Sequence, residues 1–441
     1  MKARGKWWMV VGTLLLISPA TWAQVRGTIF GPGSRSYPIA VSPLQNLSDT
    51  SVGQELGTRF ADILERDLVI SGYFKVIERA AHIEQPESSG TDAENINFDS
   101  WAVLGALALV KGTFRLEGDI LSVEAKLFDV AQRRQLVGRR YRGSADLLRR
   151  MAHRFADEIM LQFTGERGPF DTRIAFVSNR DGRFKEVYTM SLDGGDLQQV
   201  TKAQSITVSP SWSPDVRYLL YTSYKRGNPD LFLLDVVRGR EVTLSGRGGL
   251  NLGGRFSPDG STIAMTLEEG ANSEIVLLDR AGDLIQKLTD HWAIDVSPSW
   301  SPDGRQIAFC SNRSGSPQIY VMNADGTGVR RITYEGDYNT APAWSPKGDR
   351  IAFVRRYEGG FNIFTVRPDG SDAKQLTQAA GNNEDPSWSP DGRYIVFSSN
   401  RSGRKKLYVM DAAGINQVQL THGGGDDTSP AWSRWLSERT Q

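Results

Sequence analysis

Few side chains in this chain of 441 residues have the type and spacing that covalent chemistry needs. The four histidines are His82, His153, His291 and His422. None stands at His-x-x-x-His spacing or beside a cysteine, the arrangements that turn two ligands toward one metal ion. His153 falls within a helical pattern, whereas His291 and His422 fall between repeated units. Cys310 is the one thiol, in the apolar run Ile307-Ala308-Phe309-Cys310. Such a run reads as a buried strand, where a thiol packs as a small hydrophobe and does not react. No Gly-x-Ser-x-Gly elbow, phosphate loop or dinucleotide fingerprint occurs. No catalytic residue, cofactor-binding residue or metal ligand is therefore assigned, and a protein without enzymatic activity is expected.

One polar set does recur. Thr207, Asn251, Asp295, Asn339, Asn383 and Asp427 each stand five residues before a repeated aromatic. Short oxygen-bearing side chains at such a position cap turns before strands. Alternatively, six of them around a channel mouth make a polar rim for a ligand or an oxygen-rich cation site.

The elements that position this set come from a repeat. Trp212-Ser213-Pro214-Asp215 returns at Phe256, Trp300, Trp344, Trp388 and Trp432, at a constant period of 44 residues. Within one unit, Ser297–Ser301 leads into the turn Pro302-Asp303-Gly304, then Arg305–Ser311, Gln318–Asn323 and Val329–Thr333 alternate as strands. Proline presets φ in the turn and glycine supplies the positive φ that a hairpin requires. Four short strands per unit is the pattern of a propeller blade. A lone blade cannot bury both faces, so the aromatics are read as core between stacked blades.

A second-strand triplet appears six times, at Ile174, Leu219, Ile263, Ile307, Ile351 and Ile395. The first has no Trp-Ser-Pro-Asp before it, and Trp432 has no further repeat after it. Thr428–Arg434 is therefore expected to supply the innermost strand of the blade begun at Thr172, which removes two exposed edges. The fold class expected is an all-β six-bladed β-propeller over residues 170–435 with a small N-terminal α/β domain over residues 37–165.

In that front domain, Ile39–Pro43 and Phe74–Ile77 read as strands. Val52–Ser71 reads as a helix ending at Gly72, and Pro86–Asn97 as a loop. Ser100–Val110 reads as a helix, and Gly112–Val130 and Gln135–Tyr141 as strands turning at Glu117-Gly118-Asp119. Ala145–Phe163 carries helical spacing and stops before Gly165.

Residues 1–23 read as a signal peptide. Lys2, Arg4 and Lys6 precede an apolar run from Trp7 to Ile17, and Thr21-Trp22-Ala23 offers a cut between Ala23 and Gln24. That run is shorter than the ~20 residues a spanning helix needs. Cleavage takes the net charge from +1 to −2, so no bulk field draws the chain to nucleic acid or an anionic membrane. An exported, monomeric protein without membrane insertion is expected, with residues 24–36, which hold Gly27, Gly31, Pro32 and Gly33, as a mobile segment or an added strand.

Together, the leader, the front domain, the six Trp/Phe-Ser-Pro-Asp-Gly units and the closing Pro430-Ala431-Trp432-Ser433 resemble the TolB family of the Tol-Pal envelope system. The resemblance implies a docking protein that binds the lipoprotein Pal through the channel-side face of its propeller. It also implies a periplasmic location, with residues 24–36 as a partner-binding segment that meets the C-terminal domain of TolA, which links outer-membrane constriction during cell division to the inner membrane. Other outer-membrane proteins are further candidate partners. Carried onto this chain, the Pal-facing loops include Asn251, Leu252, Asp295, Val296, Asn339, Thr340, Asn383, Glu384, Asp427 and Thr428. The TolA-facing segment includes Val25, Arg26, Gly27, Thr28, Ile29 and Phe30. The second repeat departs from the pattern, with Gly253-Gly254-Arg255-Phe256 where the others have a proline two before the aromatic, and a different loop geometry is expected there. The rival readings are a propeller hydrolase or lactonase, and a glycan-binding propeller.

Overall fold

The computed structural model describes residues 36–436 apart from 49–52, 54, 86–89, 271, 379 and 380. The leader, its cleavage site and the segment from Val25 to Phe30 lie outside the described residues.

The front unit is one mixed sheet. Its strands are β1 (Tyr37–Val41), β2 (Gln45–Asn46), β3 (Phe74–Val76), β4 (Ala108–Glu117), β5 (Ile120–Asp129) and β6 (Arg134–Ser144), in the order β3-β1-β4-β5-β6 with β2 beside β4. β1 runs parallel to both neighbours, while β4, β5 and β6 form an antiparallel meander. Side chains alternate across the sheet. Ile39 and Val41 therefore meet helices α1 (Leu56–Ser71) and α3 (Leu148–Thr164), and Ala40 meets α2 (Phe98–Val103) on the other side. Both long helices end on a left-handed glycine, Gly72 at φ 72 and Gly165 at φ 76.

Two expected spans differ. The first helix starts at Leu56, after a turn at Gly53 and Glu55, and the expected start at Val52 lies outside the described residues. The helix expected over Ser100–Val110 ends at Val103, and β4 takes over from Ala108. Gly105, at φ 78, breaks the helix, and Leu107 N–H already donates to Pro38 O. Ala108, Leu109 and Val110 are buried on both sides of the sheet. A short apolar run without alternation reads equally well as a buried helix or a central strand.

The second unit is a ring of six four-stranded sheets, the six-bladed propeller expected. The innermost strands are Asp427–Trp432, Thr207–Trp212, Asn251–Phe256, Asp295–Trp300, Asn339–Trp344 and Asn383–Trp388, numbered here as blades I to VI. Asp427–Trp432 pairs with Arg173–Ser178, so blade I is built from two distant stretches of chain. Phe256, Trp344, Trp388 and Trp432 are buried in inter-blade clusters, while Trp212 and Trp300 show part of their rings to the channel. Indole N–H groups also tie blades together: Trp212 donates to Ala431 O at 3.2 Å, Trp300 to Arg255 O at 3.2 Å and Trp388 to Ala343 O at 3.0 Å.

The front unit sits on the propeller through shared core. Tyr394, Leu407, Val409, Ile174 and Phe176 pack in one cluster with Phe60, Phe155 and Ile159. Tyr394 Oη donates to Ser71 O at 3.0 Å and Arg66 to Gln419 O at 2.6 Å. His153 lies fully within this junction, its Nδ1 2.7 Å from Asp67 Oδ2 and its Nε2 3.6 Å from Asp193 Oδ1 on blade I. No helix among the described residues is long and apolar enough to cross a membrane.

Candidate functional site

A propeller has two ends, and the direction of the innermost strands distinguishes them. One end carries the Pro-Asp-Gly turns and the turns between third and fourth strands. There α1 and α3 cover blades VI and I, through contacts to Arg393, Tyr394, Asn416, Gln419 and Asp193. The other end carries the starts of the innermost strands and the loops between second and third strands. It is the mouth at which the six polar residues were placed.

All six innermost strands begin on those residues, and all six residues have no exposed surface. Asn251, Asp295, Asn339, Asn383 and Asp427 therefore cannot themselves form the polar rim or touch a partner. They hold the mouth's framework from beneath. Asp295 Oδ2 accepts from Arg313 Nη2 at 2.7 Å, and Asp427 Oδ1 accepts from Arg180 Nη2 at 2.7 Å. Asn383 Oδ1 accepts from Arg401 Nη2 at 2.8 Å, and Asn339 Oδ1 from Arg355 Nε at 2.9 Å. Thr207 meets Ser223 at 3.4 Å, and Asn251 accepts from Ser245 Oγ at 2.6 Å. Burial pushes the Asp295 carboxyl above its ordinary range, while the Ser311 hydroxyl and the Arg313 charge act against that shift.

Sequence reasoning missed the arginines, although they carry a signal. Ser178-Asn179-Arg180, Ser311-Asn312-Arg313 and Ser399-Asn400-Arg401 occupy equivalent turns. In each, the guanidinium Nε donates back to the serine Oγ and lies over two aromatic rings, as Arg401 does over Phe397 and Tyr408. A guanidinium both paired and stacked is held rigidly, so the loops it anchors form a stiff surface.

The neighbouring positions face outward. Leu252, Val296, Thr340, Glu384 and Thr428 are each half-buried at the mouth, and Glu384 pairs with Lys405. Around them stand exposed apolar side chains that no fold requirement places there: Phe184, Ile206, Tyr224, Trp292, Ile294 and Tyr334. Trp292 is 73% exposed and Tyr334 70%. Every one of these sits in a loop of the mouth end. Large apolar groups gathered on one face of a folded protein mark a surface that another molecule covers.

Below the mouth runs a channel of 380 Å³ lined by all six innermost strands, from the residue two or three before each aromatic to the serine that follows it. Ser209, Gly253, Ser297, Ala341, Asp385 and Ser429 all have φ between 50 and 64. Each marks a bulge at which the strand gains one residue over its neighbour. Blade III shares this geometry, with Gly253 at φ 64, so the expected difference in its loop is not found. Its proline is replaced by Gly254, where a Cβ would stand 3.0 Å from Leu231. Arg255 projects into the channel and donates to Pro210 O at 3.2 Å, and Asp385 faces it from the opposite blade. Among the described residues, no three histidine, cysteine, aspartate or glutamate side chains are grouped so as to hold a metal ion.

Residues 160–436 match the family model described as the TolB beta propeller domain, and residues 26–136 match the TolB amino-terminal domain. The Tol-Pal system protein TolB of Desulfosudis oleivorans is 40% identical over 244 residues, covering 54% of this chain and 55% of that protein. That of Syntrophotalea carbinolica is 43% identical over 212 residues, covering 48% of each. These matches span about half the length of the curated relatives. The crystal structure of TolB from Acinetobacter baumannii superposes with a TM-score of 0.78 at 26% identity, covering 91% of this chain and 97% of that one. Because the propeller model alone spans more than half of its length, the chain belongs to the TolB family.

Proposed function

We propose that this chain is a non-catalytic component of the Tol-Pal envelope system, working in the periplasm as a docking platform for the lipoprotein Pal. The observation that carries the reading is the gathering of Trp292, Ile294, Tyr334, Ile206, Tyr224 and Phe184 at the mouth, while the front unit occupies the other end. The relatives' names supply the system, and the mouth's chemistry supplies the mode. A rigid apolar face rimmed by Glu384, Lys405 and Thr428 suits a folded partner more than a small substrate. The half-buried Leu252, Val296, Thr340, Glu384 and Thr428 make the inner part of this contact. Asn251, Asp295, Asn339, Asn383 and Asp427 act through the loops they hold. The segment around Val25–Phe30 would reach the C-terminal domain of TolA, coupling the two membranes as the outer one constricts.

The test is titration calorimetry of residues 24–441 with the soluble domain of the same organism's Pal, repeated with Trp292→Asp, Tyr334→Asp and a chain starting at Ser36. Binding that the two aspartates weaken supports docking at the mouth, because both positions are too exposed to disturb the fold. Binding unaffected by them moves the contact elsewhere. No binding to Pal returns the function to a propeller hydrolase or a glycan-binding propeller. A TolA affinity that survives removal of residues 24–35 would count against the role of that segment.

A further inference from the structure

The channel carries two charges that the repeat does not supply. One residue before each aromatic the innermost strands hold Ser211, Ser299, Ala343, Ser387 and Ala431, and blade III alone has a long side chain there, Arg255. Three before the aromatic, Ser209, Gly253, Ser297, Ala341 and Ser429 are equally small, and blade VI alone has a charge, Asp385. Blades III and VI stand opposite each other in the ring. Of the described residues that line the channel, the one other charged group is Arg434, which follows the closing strand and donates to Pro258 O at 3.2 Å beneath blade III.

The two opposed groups face each other without meeting. Arg255 Nη1 donates to Pro210 O at 3.2 Å and to Gly254 O at 3.4 Å, while its Nη2 and Nε have no hydrogen bond among the described residues. Asp385 Oδ2 accepts from Ser429 N at 3.1 Å and Ser429 Oγ at 3.4 Å, and its Oδ1 has no partner there. Burial holds the Arg255 guanidinium below its ordinary range, and the Asp385 charge acts against that shift. Burial, with Glu384 beside it, pushes the Asp385 carboxyl up. A charge pair that serves only the fold is in contact, because contact is what offsets the desolvation of both ions. Held apart across an open channel, these two present a cation and an anion to whatever lies between them. That arrangement selects among occupants. Two guanidinium groups against one carboxylate repel a metal cation, and a simple anion leaves Asp385 unanswered. A dipolar molecule meets both.

We propose that the propeller channel binds a small dipolar ligand of the amino acid or short peptide class, its carboxylate held by Arg255 and its ammonium group facing Asp385. Serine hydroxyls supply further contacts: Ser299 Oγ and Ser387 Oγ accept from Trp344 N and Trp432 N at 3.0 Å, and each keeps its own hydrogen to donate. The pocket lies below the mouth and does not rest on the partner proposed there.

The probe is glycylalanine, titrated by calorimetry at pH 7 into residues 24–441. Glycylalanine amide lacks the carboxylate, and N-acetylglycylalanine lacks the ammonium group. Arg255→Ser and Asp385→Ser each install the residue that other blades carry at that position, and unchanged urea midpoints establish that both variants fold. Arg255→Ser should weaken glycylalanine about tenfold, and the amide should bind the native protein about tenfold more weakly. Asp385→Ser should weaken glycylalanine by a similar factor and leave the affinity for the acetylated peptide unchanged, because the group that faces Asp385 is already gone. Arg255→Lys, which keeps the charge and loses the fork, should fall between Arg255→Ser and the native protein. Equal binding of the amide, equal binding by Arg255→Ser, or no binding at millimolar glycylalanine overturns the proposal. If glycylalanine does not bind but Arg255→Ser weakens the soluble domain of Pal, the pair belongs to a docked protein and not to a small ligand.

Discussion

Asp427 joins the two distant stretches of chain that make blade I, and its removal tests how the ring is held. Its carboxylate has no exposed surface and is shared by Arg180 at 2.7 Å and Lys406 Nζ at 3.1 Å. The Lys406 side chain is itself only 5% exposed, and without Asp427 it keeps the carbonyls of Gly425 at 2.8 Å and Gly424 at 3.4 Å alone. Asp427→Ala leaves a buried cation uncompensated, a change that costs about 3–5 kcal/mol. With a urea slope of about 3 kcal/mol/M for a unit of this size, the propeller's midpoint should fall by roughly 1–1.7 M. Tryptophan fluorescence reads the transition directly, since Trp432 lies on the same strand. Most of the loss comes from the orphaned lysine, so Asp427→Leu combined with Lys406→Met should recover the larger part of it. A midpoint shift below ~0.3 M, or a double variant less stable than the single one, would refute a charge-held closure.

Burial lowers the proton affinity of His153, but the Asp67 charge and hydrogen bond outweigh it, and its pKa is raised. Burial pushes the Asp67 carboxyl up to about 6. A raised histidine contributes stability below its unfolded value near 6.5 and loses it as pH rises through its folded value. A raised carboxyl holds an extra proton in the folded state between its ordinary value and about 6, so stability falls across that window too. Melting temperature should thus decline from pH 5 toward pH 8, and His153→Gln should flatten the upper part of that decline. Trp388→Phe keeps the ring in its cluster but loses the 3.0 Å bond to Ala343 O, and denaturant titration should find it destabilised by about 1 kcal/mol. Burial pushes the Cys310 thiol up to about 11, so Ellman's reagent at pH 8 should react with it only after urea is added; rapid reaction of the native protein would contradict its placement.

The propeller was legible because turn chemistry and aromatics recur at one period, which no single-domain alternative reproduces. The direction of the polar ring was not. Thr207 and Trp212 are five positions apart, and simple alternation puts them on opposite faces of the strand. The bulge at Ser209 inserts one residue between them, so both turn inward, and the same holds in every blade. Serine, alanine and aspartate at a positive φ carry no obvious mark in the sequence. The apolar set at the mouth was only partly legible, since Phe184, Ile206 and Tyr334 are scattered over three blades and gather only once the ring closes.

The pairing of Asp427–Trp432 with Arg173–Ser178 also sets a schedule. The paired residues Ser178 and Asp427 stand 249 positions apart. At roughly 5–20 residues per second of synthesis, the outer strands of blade I wait about 12–50 s for their inner partner. Throughout that interval the Arg173–Ser178 edge stays open to intermolecular pairing, and no earlier strand can take its place without displacing a blade. A molecule that lacks Asp427–Trp432 keeps this edge permanently, with Arg180 deprived of its carboxylate and Thr172 of the Trp432 indole donor. Completion of the ring is thereby written into the surface itself, where a chaperone or protease can distinguish a finished molecule from a fragment by whether one strand edge is still available.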